Sequence, residues 1–196
     1  MKKGLIIIIV VAVVALGLFS WVKGAYTTMV QEDENVQRAW SQVENVYQRR
    51  ADLIPNLVAT VKGYAAHESQ TLENVVSARA KATQTTVDAG DLTPEALAAY
   101  QQAQGELSTA LGRLLMIQEN YPDLKANQNF LDLQSQLEGT ENRITVERQK
   151  FNEAARNYNT LIRQFPKNIL AGLFGFEKKP YFQADEGAKT APQVVF

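Results

Sequence analysis

His67 and Glu68 are the nearest this chain comes to a metalloprotease helix. Such a helix needs two histidines four residues apart, so that both ligands share one face with the glutamate between them as general base. The run His67-Glu68-Ser69-Gln70-Thr71 places Thr71 where the second histidine should stand. His67 is the only histidine and there is no cysteine. Thiolate nucleophiles, disulfides and cysteine-ligated metals are therefore excluded, and zinc would have to rely almost wholly on carboxylates, which suits it poorly. No glycine-rich phosphate loop and no Gly-x-Ser-x-Gly elbow occurs, and only His67 is available to a serine triad. The sequence thus leads to no catalytic residue, no cofactor and no metal, and to a protein that is not an enzyme.

The chemistry that remains is recognition. Arg50, Glu68 and Glu147 fall at core-facing phase on their helices. One reading makes them a polar cluster that fixes register or recognises a partner; the default reading lays their stems along apolar surface near helix ends. The run Arg49-Arg50-Ala51-Asp52 is a candidate docking surface, with Glu68, Phe174 and Phe176 as further partner-docking candidates. An alternative function is a sensory or ligand-binding bundle in which Arg50, Glu68 or Tyr64 touches a small molecule between helices; it requires a concave polar pocket.

Charge narrows the partners. Without Lys2, Lys3 and Lys23, 17 basic residues stand against 21 acidic ones, a net charge near −4. No basic cluster is present for nucleic acid. Residues 5–22 carry no charge and are about as long as a bilayer-spanning helix requires, with Trp21 and Tyr26 as interfacial anchors. Lys2 and Lys3 resemble the start of a signal peptide, but the apolar run is longer than most and no Ala-x-Ala site follows, so an uncleaved anchor in membrane lipid is expected. Lys2, Lys3 and the α-amino group outweigh Lys23 and Arg38, which puts the N-terminus in the cytoplasm and the bulk of the chain outside.

The elements that would position these residues are helices. From Val36, the positions of one stripe step by four and three through Trp40, Val43, Tyr47, Arg50, Ile54, Leu57, Val61, Tyr64, Glu68, Thr71, Val75, Ala78 and Ala82, most of them apolar, the signature of one long helical face. Pro55 should kink this helix or restart it near Asp52–Ile54, with Asp52 as a cap. Residues 82–93 read as a linker, and Thr93-Pro94 as a capped helix start. A second stripe runs from Leu97 to Tyr121, and a third from Phe130 to Phe165. The expected fold is all-α: a transmembrane helix at 5–22 after a short flank at 1–4, then a bundle domain over 23–176. That bundle comprises three long antiparallel helices, the first kinked at Pro55, and a short C-terminal segment. The aromatic stripe reads as core. Residues 168–176 either fold over a bundle end or lie in a membrane interface beside Lys178 and Lys179. Residues 177–196 read as an extended or disordered tail ending in Val194-Val195-Phe196, a candidate for strand addition.

Long matching stretches give the chain a resemblance to the LemA family of bacterial membrane proteins. They are Asn35 to Val43; Arg49 to Val58; Val61 to Tyr64; His67-Glu68; Tyr121 to Ala126; Gln136 to Asn142; Tyr158 to Pro166; and Phe174 to Phe176 with Tyr181-Phe182. The resemblance implies a membrane-anchored antiparallel helical domain and supplies no catalytic set. It suggests a scaffold or adaptor in the bacterial plasma (inner) membrane, self-associating as a homo-oligomer or binding envelope proteins such as a membrane protease. In that frame Gly63 would permit close helix approach and Trp40 would fill core volume.

Overall fold

The computed structural model describes residues 2–183; the expectations for residues beyond them, including the end at Val194-Val195-Phe196, lie outside the described residues. The elements are α1 (Lys2–Tyr64), α2 (Ser69–Gln84), α3 (Pro94–Met116), a 3₁₀ turn (Ile117–Asn120), α4 (Pro122–Lys125), α5 (Gln128–Arg163) and α6 (Lys167–Phe174). All regular structure among the described residues is helical, as the apolar periodicity implies.

α1 is a single helix of 63 residues, about 95 Å long at 1.5 Å per residue. It crosses the expected boundary at 22/23 without interruption. Leu5 to Phe19 are exposed along its start, which is long and apolar enough to cross a membrane. Ala25 and Met29, barely beyond, are already buried in the bundle.

The first amphipathic stretch is a hairpin, not one helix from 36 to 82. Its break falls at residues 65–68, after Lys62-Gly63-Tyr64, and not at Pro55, which lies inside α1. The reason is visible one turn back. Proline has no N–H for the carbonyl of residue 51, and the Arg79 Nε of α2 donates to that carbonyl at 2.8 Å. A side chain from the neighbouring helix thus replaces the bond the proline removes. Asp52 does not cap a restarted helix; it sits mid-helix and accepts from Gln48 Nε2 at 2.7 Å. Gly63 is not a close-approach residue either, because a Cβ there would meet nothing within 4 Å.

Four helices alternate in direction. α1 pairs antiparallel with α5: Trp40 meets Phe151, Arg50 meets Glu141, and Tyr64 meets Asn127. α2 returns along α1 and pairs with α3, where Lys81 reaches Glu106 at 2.6 Å. Thr93 caps α3 as its spacing from Pro94 implies, its Oγ1 accepting from the Ala96 N–H at 3.2 Å. Asn127 does the same for α5, accepting from the Phe130 N–H. The linker between α2 and α3 is tied down: Val87 and Leu92 are buried, and Trp40 Nε1 donates to the Val87 carbonyl at 3.3 Å.

Candidate functional site

Two apolar clusters fill the bundle. One, nearer the apolar span, gathers Met29, Val36, Trp40, Tyr100, Phe151 and Tyr158; the distal one gathers Ile54, Leu57, Leu107, Leu114, Phe130 and Leu137. Arg50 lies between them and is only 1% exposed. Its Nη1 donates to Ser108 Oγ and Glu141 Oε1, both at 2.7 Å. Its Nη2 donates to the Gln104 carbonyl at 3.2 Å and to Gln104 Oε1 at 2.6 Å. The guanidinium also stands over the Tyr47 ring, 5.1 Å from its centroid. Gln104 Nε2 passes the connection on by donating to the Ala82 carbonyl. One planar cation therefore links α1, α3 and α5 directly and α2 through Gln104. Arginine suits this place because its fork of donors has fixed geometry.

The other polar residues at core-facing phase behave differently. Glu147 is half-buried and pairs with Lys150 on its own helix at 2.8 Å. Glu68, at the distal turn, accepts from the Tyr121 hydroxyl at 3.3 Å. The structure does not bring Arg50, Glu68 and Glu147 together. Arg49 and Asp52 are exposed on α1, so of the run 49–52 only those two charges face outward while Arg50 faces the core. Phe174 and Phe176 sit at the opposite end from Glu68, both edge-on to Tyr26 with centroids 5.0 and 5.7 Å away.

A small recess opens beside Arg50, lined by Glu44, Tyr47, Gln48, Thr83, Tyr100 and Gln104 among others, with a volume of about 90 Å³. At roughly 30 Å³ per liquid water it admits a few waters, well short of the roughly 300 Å³ of a small-molecule site. Burial and the Asp88 charge hold the Glu44 carboxyl above the usual carboxylate range. No group of three potential metal ligands occurs among the described residues. The arrangement has a charged core in which both terminal nitrogens of Arg50 find acceptors while its Nε finds none.

The segment after α6 is the feature sequence reading missed. Asn159 brackets Lys179, its amide donating to the Lys179 carbonyl at 2.8 Å and its oxygen accepting the Lys179 N–H at 2.9 Å. Asn152 brackets Phe182 in the same way at 3.1 and 2.8 Å. Seven helical residues advance about 10.5 Å, and three extended residues about 10 Å, so the two amides match the backbone they hold. Phe182 is buried, stacked on Trp40 at 5.9 Å and edge-on to Phe151 at 5.4 Å. Lys179 pairs with Asp33 at 2.9 Å. The paired asparagines seven apart on α5 were the available signal, hidden because isolated asparagines read as solvated surface.

Residues 39–196 match the model of the LemA family. The chain belongs to the LemA family. It is 30% identical over 186 residues to the magnetosome protein MamQ 2 of Paramagnetospirillum magneticum, covering 84% of this chain and 67% of that protein. It is 28% identical to the magnetosome protein MamQ of Magnetospirillum gryphiswaldense, covering 86% and 70%. It is 25% identical over 175 residues to the protein LemA of Metamycoplasma hominis, covering 89% and 76%. The LemA match takes in Trp40, Arg50, the Pro55–Arg79 contact and the docked segment to Phe182, and begins beyond the apolar span.

Proposed function

We propose that this LemA-family protein is a membrane-anchored, non-enzymatic scaffold that works by presenting its outer helix faces to further copies of itself or to envelope proteins. The observation that carries this reading is the continuity of α1: the apolar span and the first bundle helix are one element with no linker between them. A ligand-capturing or catalytic domain has no need of such rigidity; a part that holds others at a set height and angle does. The docked C-terminal segment and the bound Arg50 stiffen the same body. Arg49 and Asp52 on the flank, Glu68 at the far end, and Phe174 and Phe176 at the near end are the docking positions. The apolar span and the balance of Lys2 and Lys3 against Lys23 support a single-pass protein of the bacterial plasma membrane with its bundle on the extracytoplasmic side.

Crosslinking in intact membranes followed by mass analysis tests the proposal. Defined oligomers or recurrent envelope partners are expected, and charge reversal at Arg49 and Asp52 should remove part of them. A chain that stays monomeric and partnerless under the same conditions ends the scaffold reading. Protease access to the bundle in spheroplasts checks the side.

A further inference from the structure

We infer that α6 is a second membrane contact, an interfacial helix whose outer face lies in the headgroup layer of the bilayer that α1 enters. This rests on residues 5–22 being a membrane span.

The sequence of α6 motivates it. After Lys167 and Asn168, the six residues Ile169 to Phe174 carry no polar side chain. Helices that are apolar all round belong in a core or in lipid. Yet α6 is covered on one side only. Leu170 and Ala171 are buried against the bundle, while Ile169 is 61% and Leu173 74% exposed, and Phe165, just before the helix, is 82% exposed. Positions 169 and 173 are four apart and share the open side of α6. An unpartnered apolar face of this kind on the outside of a bundle asks for an occupant.

Height along α1 identifies that occupant. Phe174 packs edge-on against Tyr26 at 5.0 Å. Tyr26 lies four residues beyond Val22, about 6 Å along the axis at 1.5 Å per residue. The polar layer on each side of a hydrocarbon core is about 5–8 Å deep, from the difference between the ~30 Å core and the ~40–45 Å bilayer. Because α1 is unbroken from the span through Tyr26, no hinge lifts α6 out of that layer. Trp21, 42% exposed, sits at the boundary where interfacial aromatics collect. Around the patch, Lys179 is taken up by Asp33, which leaves Arg163, Lys167 and Lys178 against one acid, Glu177, within residues 163–179, a balance that favours anionic headgroups. Met116, another large exposed apolar residue, lies at the distal end of α3. It has no such neighbourhood and serves as the control.

The test uses the full chain, whose lack of cysteine makes single labels clean. Ile169→Cys, Leu173→Cys, Met116→Cys and Leu16→Cys each carry a polarity-sensitive fluorophore. Each is reconstituted in phosphatidylethanolamine–phosphatidylglycerol vesicles with nitroxide lipids of shallow or deep label. All four substituted positions are exposed, so the bundle should melt as the unmodified chain does. At 169 and 173 the shallow nitroxide should at least halve the emission and quench more than the deep one; at 116 neither should act; at 16 the deep one should dominate. If 16 is quenched while 169 and 173 behave like 116, the span stands and the α6 contact is overturned. Shielding of 169 and 173 from aqueous iodide without nitroxide quenching overturns it too, in favour of a second copy or another protein. Absence of quenching at 16 overturns the span itself, and the α6 contact with it.

Discussion

Removing the charge of Glu141 should cost the bundle more than removing the whole of a typical surface ion pair, and the cost should vanish once Arg50 is gone. Arg50 is buried, and Glu141, whose side chain is 45% exposed, is its ion-pair partner at 2.7 Å. At that distance two unit charges interact by about 6 kcal/mol at an effective dielectric of 20 and about 1.5 kcal/mol in water. Half-exposure puts the pair between those limits, and water entering from the Glu141 side replaces part of the loss. A net cost of about 2–3 kcal/mol is therefore expected for Glu141→Gln, below the ~3–5 kcal/mol of breaking a fully buried pair. Arg50→Met keeps most of the stem volume and leaves Gln104 Oε1 without its donor, which costs about 1–3 kcal/mol. In the double variant no buried cation remains to be compensated, so Glu141→Gln adds almost nothing and the coupling approaches 2 kcal/mol. Thermal melts in nanodiscs, read by near-ultraviolet circular dichroism and by emission from buried Trp40, give all four corners. For a chain of this size, about 2–4 °C per kcal/mol puts the Glu141→Gln melt roughly 4–12 °C below the parent. Additive costs, with a coupling below about 0.5 kcal/mol, would refute the claim that one ion pair organises the junction.

Arg79→Met should destabilise by about 1–3 kcal/mol through the orphaned Ala51 carbonyl; in a Pro55→Ala background, where residue 55 regains its N–H, most of that cost should disappear from urea titrations. Glu44 has a folded-state pKa above its unfolded value, so the folded state binds the proton more tightly and stability falls as pH rises from the unfolded pKa through the folded one. Glu44→Gln should therefore raise the melting temperature at pH 7 and leave it unchanged near pH 4. Phe182→Ala should cost about 3 kcal/mol by emptying the site against Trp40 and Phe151, and hydrogen exchange at residues 179 and 182 should speed up. Gly112→Ala, where a Cβ would meet nothing within 4 Å, should gain about 0.5–1 kcal/mol and raise the melt.

The all-helical class, the linker after Ala82, the Thr93 cap and the extent of α5 were legible because each has a local cause: apolar period, turn residues, a hydroxyl before proline; the second stripe, by contrast, runs on to Tyr121 while α3 itself ends at Met116 and a 3₁₀ turn continues it. The hairpin at 65–68 was not. The three-four rhythm runs straight across it from Val61 to Val75, since both arms of a hairpin present the same kind of face to the same core, and periodicity does not record a reversal. Pro55 drew the break to itself because the compensation by Arg79 comes from a residue 24 positions on. Arg50 was visible by phase, but its burial depends on acceptors from two other helices, α3 and α5, neither of which a single stripe reveals. Of the docking candidates, Arg49 and Asp52 are where their helix phase puts them, whereas the role of Phe176 beside Tyr26 depends on the return of the chain to the start of the bundle.

The unbroken α1 has a consequence for how the proposed scaffold would work. From Val22 to Tyr64 the helix continues for about 63 Å at 1.5 Å per residue. A span tilted by about 20°, ordinary for membrane helices, carries the distal end sideways by roughly 20 Å if nothing yields. Kinks need a cause, such as a proline with its carbonyl left free, and the one proline in α1 has that carbonyl held by Arg79. Further along, Arg50 binds α1 to α3 and α5 at mid-height, and the docked segment at Lys179 and Phe182 binds it to α5 nearer the span. The bundle therefore follows the span as one body, and the direction in which Arg49 and Asp52 face is set at the membrane. Loosening Arg79 or Arg50 should thus alter which crosslinks form before it abolishes anchoring, separating the presentation of partners from attachment to lipid.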